Sequence, residues 1–460
     1  MRETIADWKE TTLGEIAEKV AMGPFGSNIK VETFVDSGVP IISGDHLRGL
    51  KLKDKHYNFI TDEHAKRLKN SLVKRGDVIF THAGNIGQVA YIPNNSKYET
   101  YIISQRQFFL RCDAERVIPE YITYFFKTRI GQYKLLANAN QVGVPSIARP
   151  TSYLKSITIA LPPLEDQKKI AGILGSLDDK IELLRKENET LEKLAQTLFK
   201  RWFVDFEFPA DCALRNQAGR PISSTSPAKG GEGGSVKGYK SSGGKMIDSK
   251  LGPIPEGWRV GRLDDFVLVI SGYAYGGDEL VDSSNEALVT LKSFDRDGGF
   301  QIRGFKPFRG DPKPEHRVEI GDLVVAHTDL TQAADVLGNP AFIFSNGGFE
   351  KMYITMDLAK IVSQTSDIRI GFLYFLMKTH SFKRHCVGYS NGTTVLHMSR
   401  KAIPNYELSI PEDLALVRQF SDMAGVSLKK IIGNSSQIQT LSRLRDTLLP
   451  KLMSGEVKIG

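Results

Sequence analysis

Cysteine is scarce: Cys112, Cys212 and Cys386 are the only three in 460 residues, and they lie too far apart for a disulfide framework or a thiolate metal site. Such usage fits a reducing, cytoplasmic setting. No run reaches the ~18 uncharged apolar residues of a membrane span. The opening MRETIADWKETTLGEIAEKV is mixed in charge, without the apolar core of an export signal. The nine histidines show no metal-ligand spacing. A phosphate-cradling GxxxxGK[ST] string is missing too, since SSGGKM at 241–246 ends in methionine where a hydroxyl residue belongs. These absences argue against a membrane protein, a disulfide scaffold and a self-sufficient nucleotide-driven motor, and no cofactor or metal is expected.

Methyl transfer to an amine needs an Asn-Pro-Pro-aromatic loop and a glycine-rich cofactor turn. Asn339, Pro340, Ala341 and Phe342 imitate the first imperfectly, and GPFGS at 23–27 makes no convincing version of the second. Asp178 and Asp179 could hint at a nuclease metal site, but they fall in a charge-balanced stretch and read as solvated surface.

What is present is a long helix. Two prolines, Pro162 and Pro163, stop the preceding segment, Asp166 can cap, and Ile170, Leu177, Leu184, Leu191 and Leu198 recur at seven-residue spacing, the mark of a coiled-coil seam. Ile173 and Leu194 are its expected companions, with Lys180, Glu187 and Arg201 as polar layers. Because acidic and basic residues balance along it, this helix reads as a spacer and docking surface rather than a clamp on nucleic acid. After Ile410–Pro411 a second helix carries Val417, Ala424, Ile431 and Ile438 at the same spacing, with Phe420, Leu441 and Leu448 beside them, and can supply an antiparallel partner.

Between these helices the sequence repeats itself at an offset of roughly 250 residues, legible as any internal repeat is. Trp8 and LGEI match Trp258 and RLDDF, RGDVIFTHAGNIG at 75–87 matches IGDLVVAHTDLTQ at 320–332, and YFFKT at 124–128 matches YFLMKT at 374–379. Short apolar alternations predict strands at Val39–Ile42, Asp77–Thr81, Gln88–Ile92 and Gln107–Arg111, with a helix over Pro119–Leu136. Their counterparts are strands at Phe266–Ile270, Asp322–Ala326 and Ala341–Phe344. The expected class is α+β, with two mixed, β-rich repeats. The first, 1–160, holds 22 Lys+Arg against 16 Asp+Glu; 251–411 holds 17 against 19. A basic first repeat points to a polyanion, while the second would need local clusters such as Lys292, Arg296, Arg303 and Lys306. The Gly/Ser/Lys-rich stretch 209–250 predicts a flexible linker.

Taken in order, the paired repeats, LPPLEDQKKIA at 161–171, LFKRWFVDF at 198–206, RGDVIFTHAGNIG and ISQRQFFL at 103–110 resemble the specificity subunits of Type I restriction-modification enzymes. The resemblance spans nearly the whole chain and implies target-recognition domains at 1–160 and 251–411. It also implies conserved helices at 161–208 and 412–455, a split double-stranded DNA target, and partnership with methyltransferase (modification) subunits and restriction/translocase subunits, with no catalysis in this chain. The second repeat departs from the pattern, with SIPEDLALVRQF for ALPPLEDQKKIA and HTDLTQAADVLGNPA for the Gly84, Gly87 turn.

A sequence reader needs donors and acceptors in loops held by rigid strands. In the first repeat the candidates are Ser27, Lys30, Thr81, His82, Gly84, Asn85, Gly87, Gln105, Arg106 and Gln107, the glycines for close backbone approach and the amides and guanidinium as forks for adenine and guanine. In the second they are Tyr273, Tyr275, Lys292, His327, Thr328, Asn391 and Thr394. His82 and His327 occupy matching places, as DNA-facing groups or as structural ones. Two other classes remain: a self-contained methyltransferase or endonuclease, and a coiled-coil scaffold that binds no DNA. Binding of S-adenosylmethionine by the isolated chain would favour the first, and failure to shift any duplex would favour the second.

Overall fold

The computed structural model describes residues 8–140, 143–209, 238–295 and 299–457. The chain divides into two units, Met1–Lys180 with Leu441–Gly460, and Ile181–Thr440.

In the first unit the strands are β1 (Lys9–Thr12), β2 (Ala17–Met22), β3 (Val39–Ile42), β4 (Asn58–Ile60), β5 (Leu72–Lys74), β6 (Val78–Thr81), β7 (Val89–Tyr91), β8 (Thr100–Ile103), β9 (Gln107–Cys112), β10 (Ala139–Asn140), β11 (Ser146–Ile147) and β12 (Thr158–Leu161). One antiparallel sheet runs β2-β9-β6-β7, and a second runs β4-β3-β8-β5 with β3 and β8 parallel. The central strands are apolar on both faces, so they read as runs rather than alternations. Val78, Phe80, Phe108 and Leu110 pack toward the helices α2 (Pro119–Lys127) and α3 (Arg129–Leu136), while Ile79 and Phe109 pack on Ile42, Tyr101 and Ile103 of the other sheet. One helix was expected over 119–136. The chain breaks at Thr128, whose hydroxyl accepts from Gly131 N at 2.9 Å as an N-cap. Gly131 passes so near Phe125 O that a Cβ would lie 2.0 Å from it.

The second unit repeats this plan. Its strands are β13 (Met246–Ile247), β14 (Ile254–Pro255), β15 (Trp258–Arg262), β16 (Val267–Ser271), β17 (Glu286–Val289), β18 (Phe305–Pro307), β19 (Arg317–Val318), β20 (Leu323–Ala326), β21 (Thr328–Asp329), β22 (Pro340–Phe342), β23 (Lys351–Ile354), β24 (Leu358–Ser363), β25 (Ser390–Asn391), β26 (Leu396–Met398) and β27 (Glu407–Pro411). The order β16-β24-β20-β22 reproduces β2-β9-β6-β7, and β18-β17-β23-β19 reproduces β4-β3-β8-β5, again with one parallel pair, β17 and β23. The repeated Gly-Asp string gains a structural reason. Asp77 and Asp322 each accept from a backbone N–H of their own turn, Lys74 and Glu319, and each pairs across the sheet, Asp77 with Arg111 and Asp322 with Lys360, both at 2.8 Å.

Helix α5 (Leu164–Phe199) starts before Asp166, which lies in its first turn instead of capping it. The buried residue there is Gln167: its side chain donates to Pro162 O and Arg116 O and accepts from Ile118 N, seating the helix on the first unit. Helix α8 (Ala415–Met453) completes both units. In the second unit Phe420 meets Phe199 and Asn434 meets Glu187, so the two segments run antiparallel. The heptad leucines are confirmed as seam residues, but their companions lie four residues on, at Leu174, Ile181, Asn188, Ala195 and Trp202. Ile173 and Leu194 face outward, and Asn434, only 3% exposed, with Asn188 and Glu187 makes a polar layer.

Asp178 is no solvated carboxylate either. It accepts from Tyr124 Oη at 2.8 Å and Arg445 Nη1 at 2.6 Å, while Asp179 pairs with Lys51. The matching tyrosine of the second unit, Tyr374, donates to Glu192, which Lys378 also reaches at 2.6 Å. Past α5 a wide turn, Lys200–Val204, sets Trp202 and Phe203 into an aromatic cluster with Phe208, Trp258 and Phe372. Residues 238–250, expected as linker, are folded: Tyr239 stacks on Phe208 at 4.7 Å and β13 pairs with β14. The aromatic ring supplies apolar surface that the Gly/Ser count hides. Residues 210–237, including Cys212, lie outside the described residues, as does Arg296.

Candidate nucleic-acid interface

In the first unit the strand register decides which loops meet. Met22 faces Phe108 and Thr81 faces Gln107, so the segments after β2, before β9 and after β6 leave one end of the same sheet. Backbone bonds lock them together: Gly23 N donates to Gln107 O (2.8 Å), His82 N to Arg106 O (2.9 Å), and Gly84 N to Pro145 O (2.9 Å). Eight predicted residues, those of 81–87 and 105–107, are thereby brought to one edge, but they divide into two kinds. Thr81 and Gln107 are buried and build the loops. The Thr81 hydroxyl donates to Asn85 O and accepts from Gln88 N, and the Gln107 carbonyl accepts from Ser104 N. Gly84 and Gly87 have φ of 78° and 83°, the left-handed region that a side chain resists, and each has a side chain laid against it, Arg106 and Gln132 respectively. Lys30, Asn85, Gln105 and Arg106 are exposed, and the Arg106 guanidinium makes no hydrogen bond among the described residues. Ser27 lies in a short turn, Gly26–Asn28, on the segment after β2.

Behind the 82–88 loop a cleft of about 410 Å³ is lined by Arg48, Asn85, Gln88, Lys127 and Gln132 among others. The Gln88 side-chain Oε1 is buried with no hydrogen-bond partner among the described residues, which leaves an acceptor inside this polar wall.

The second unit builds its edge the same way. Gly272 N donates to Leu358 O and His327 N to Asp357 O, the counterparts of the Gly23 and His82 bonds. The chemistry differs. Where the first unit has Gln105 and Arg106, the second has Met356 and Asp357, which offer no donor fork. His327 and Thr328 are buried, at 8% and 5% exposure, so their side chains shape the loop rather than reach out of it. Tyr273 bonds Glu279 and packs on Phe308, and Tyr275 joins the same cluster, so both are half-buried. Lys292 is exposed. Asn391 and Thr394 are exposed on the hairpin of β25 and β26, and β26 pairs with β21, which brings that tip beside the 327–339 loop.

Both histidines are structural in character. Burial, helped by the Arg400 cation, pushes His327 down to about 4, and burial lowers His82 as well, so neither ring is a cation for phosphate at neutral pH. The His82 Nε2 lies 3.1 Å from Gln105 O, and the His327 Nε2 is buried with no partner among the described residues.

Sequence reasoning missed an exposed part of the second edge, the tip Leu330–Ala333, where Leu330 and Gln332 face solvent. The tip is braced from below by Asp329, which accepts from Thr331 N and Oγ1, Val336 N and Leu337 N. Burial alone would raise the Asp329 carboxyl, but those bonds outweigh it and hold it below the ordinary range. The extra residues of HTDLTQAADVLGNPA relative to the Gly84, Gly87 turn were the available signal. Asn339, Pro340, Ala341 and Phe342, the imitation of a methyltransferase loop, lead into and form the buried strand β22, which leaves no open loop for a substrate amine.

The described chain thus holds two copies of one α+β unit, each ending a sheet in a loop edge and each braced by long helices. A family model described as "Type I restriction modification DNA specificity domain" matches residues 5–193. The MjaIX specificity subunit of Methanocaldococcus jannaschii is 26% identical, with 98% of this chain and 94% of the relative covered. The HindI specificity subunit of Haemophilus influenzae is 24% identical over 98% of this chain and 100% of its own. The crystal structure of a Type I restriction-modification S subunit from M. genitalium shares the fold, with TM-score 0.56, 14% identity and coverage of 97% and 96%. Along nearly its whole length the chain is thus similar to specificity subunits of Type I restriction-modification enzymes.

Proposed function

We propose that the chain reads a split double-stranded DNA target, one half through the loop edge of each unit. Methyltransferase and restriction/translocase subunits would be carried on the outward faces of α5 and α8, in the cytoplasm. The observation that carries this reading is the convergence of exposed Asn85, Gln105 and Arg106 at one sheet end, on loops pinned to the strands by backbone bonds. Guanidinium and amide forks match guanine O6/N7 and adenine N6/N7 in the major groove, and Lys30 suits phosphate. In the second unit Lys292, Gln332, Asn391 and Thr394 are the exposed counterparts.

Domain limits follow the same reading, with recognition by 1–160 and 251–411 and assembly through 161–208 and 412–455. The test is to express the chain with its methyltransferase partner and map methylated adenines genome-wide. One bipartite motif is expected, and methylation without sequence preference would refute the proposal.

A further inference from the structure

Lys383 on α7 (His380–Gly388) sends its ammonium into the 327–339 loop, where it donates to Leu337 O at 2.5 Å, Asn339 Oδ1 at 2.8 Å and Asp335 O at 3.2 Å. Three oxygens of one loop thus converge on one tethered cation. In the first unit Gln132 on α3 donates to Gly87 O at 3.0 Å and to Phe126 O at 2.6 Å. These two residues hold the same place in the repeat. Thr128 and Thr379 cap their helices through their hydroxyls, and Gln132 and Lys383 each stand four positions beyond the cap. Their targets correspond too. Gly87 and Gly338 both have positive φ, 83° and 74°, and both donate from N to the last residue of the matching strands β6 and β20, Thr81 O and Ala326 O.

Neither side chain belongs to the exposed reading set; each works from behind its loop. We infer that Gln132 and Lys383 are positioning residues for specificity, each fixing the backbone of its own reading loop from the second helix of its unit. The inference rests on the proposal that these loops read DNA. Its physical logic is that a reader must be held to within about half an ångström of its productive geometry. A loop bonded only to itself has low local stability, while a bond to a packed helix ties it to the core. The two repeats use different chemistry for the same task. The short glycine turn has one carbonyl to satisfy and takes a neutral amide, whereas the longer second loop turns three oxygens inward and takes a cation.

The experiment uses the full chain assembled with its methyltransferase partner, with Lys383→Met to keep the stem without the charge, Lys383→Arg, and Gln132→Leu. Methylation is measured on duplexes in which each half-site is varied separately, and deuterium uptake of peptides covering 82–88 and 329–340 is followed without DNA. Lys383→Met is expected to raise uptake in 329–340 and to lower base discrimination at the second half-site by about tenfold, with the first half-site unchanged. Gln132→Leu should do the reverse, and Lys383→Arg should restore most of the discrimination. Unchanged uptake would overturn the clamp. Raised uptake with parental discrimination at both half-sites would overturn its role in specificity, as would equal loss at both half-sites. If the parent complex itself shows no sequence preference, the DNA-reading proposal fails, while uptake still decides whether the clamp exists.

Discussion

The two units share strand order, parallel pairs, the Gly-Asp turn and the helix break, yet their loop edges carry different groups. The first offers Gln105 and Arg106 on the tight turn before β9; the second has Met356 and Asp357 there and moves its exposed polar groups to a longer loop and a hairpin tip, at Gln332, Asn391 and Thr394. A common scaffold therefore fixes where an edge is, and the loops decide what it offers, as expected when function is grafted onto a fold. Even the matching histidines diverge: half-buried His82 keeps a carbonyl within reach, while the Nε2 of buried His327 has none among the described residues.

The sharpest test of this division is exchange. Replacing residues 10–155 with the matching segment of a related protein should respecify one half of the methylated target completely and leave the other unchanged. Motif mapping reads the outcome, and a change in both halves would show that the units do not read separately.

The next effect separates the histidines. The folded-state pKa of His327 is depressed to about 4 from an ordinary 6.5, so the folded state holds the neutral ring and protonation favours unfolding. Its contribution is present in full above pH 6.5 and is lost as pH falls toward 4, at most about 3 kcal/mol across that window. His327→Gln should flatten that part of the urea-midpoint against pH curve more than His82→Gln does. Equal slopes in both variants would remove the distinction.

Arg106 and Asp357 make the third contrast. Arg106→Ala should lower methylation of the cognate duplex by about 10–100-fold, the ~1–3 kcal/mol of a bidentate base contact, and relax one position of the first half-site. Asp357→Ala should leave the second half-site as it was. If relaxation appears at all positions alike, Arg106 touches phosphate only.

Much of this was legible beforehand. Apolar runs such as VIF at 78–80 and LVV at 323–325 mark strands buried on both faces, and the order of repeated strings gave both units their plan. Proline and aromatic residues from Pro119 to Leu136 gave helix, but the break at Thr128 depends on the approach of Gly131 to Phe125 O, which periodicity does not register. The seam companions were misplaced by one residue because Ile173 and Leu194 are apolar, whereas the inward positions include the half-buried Asn188 and the small Ala195. At the candidate site, polar residue types singled out loops that leave the sheet ends. They did not separate exposed Asn85 and Arg106 from buried Thr81, Gln107, His327 and Thr328, since the distinction arises from strand register. Lys383 stands 44 residues from Asn339, so no local pattern links them.

The smallest predicted effect concerns how the helix segments differ between units. In the first, an ion pair, Asp178 with Arg445, joins α5 to α8; in the second the join is the uncharged amide of Asn434, bonded to Asn188 Oδ1 at 2.8 Å and Glu187 Oε2 at 3.0 Å. A single polar layer in an apolar seam costs stability and fixes register. Asn434→Leu sets new apolar surface beside the half-buried Asn188 acceptor and should lower stability by about 1 kcal/mol, the net worth of a lost hydrogen bond. Adding Asn188→Leu removes that acceptor, while Glu187 keeps Lys430 at 3.6 Å, so the double variant should regain most of the loss. Urea unfolding of the full chain measures both, read as the midpoint of the transition that these variants shift. A double variant as unstable as the sum of its parts would mean that Asn434 holds the seam by packing rather than by its hydrogen bonds. Recovery would show instead that the second unit's helices gain register from this layer and little net stability.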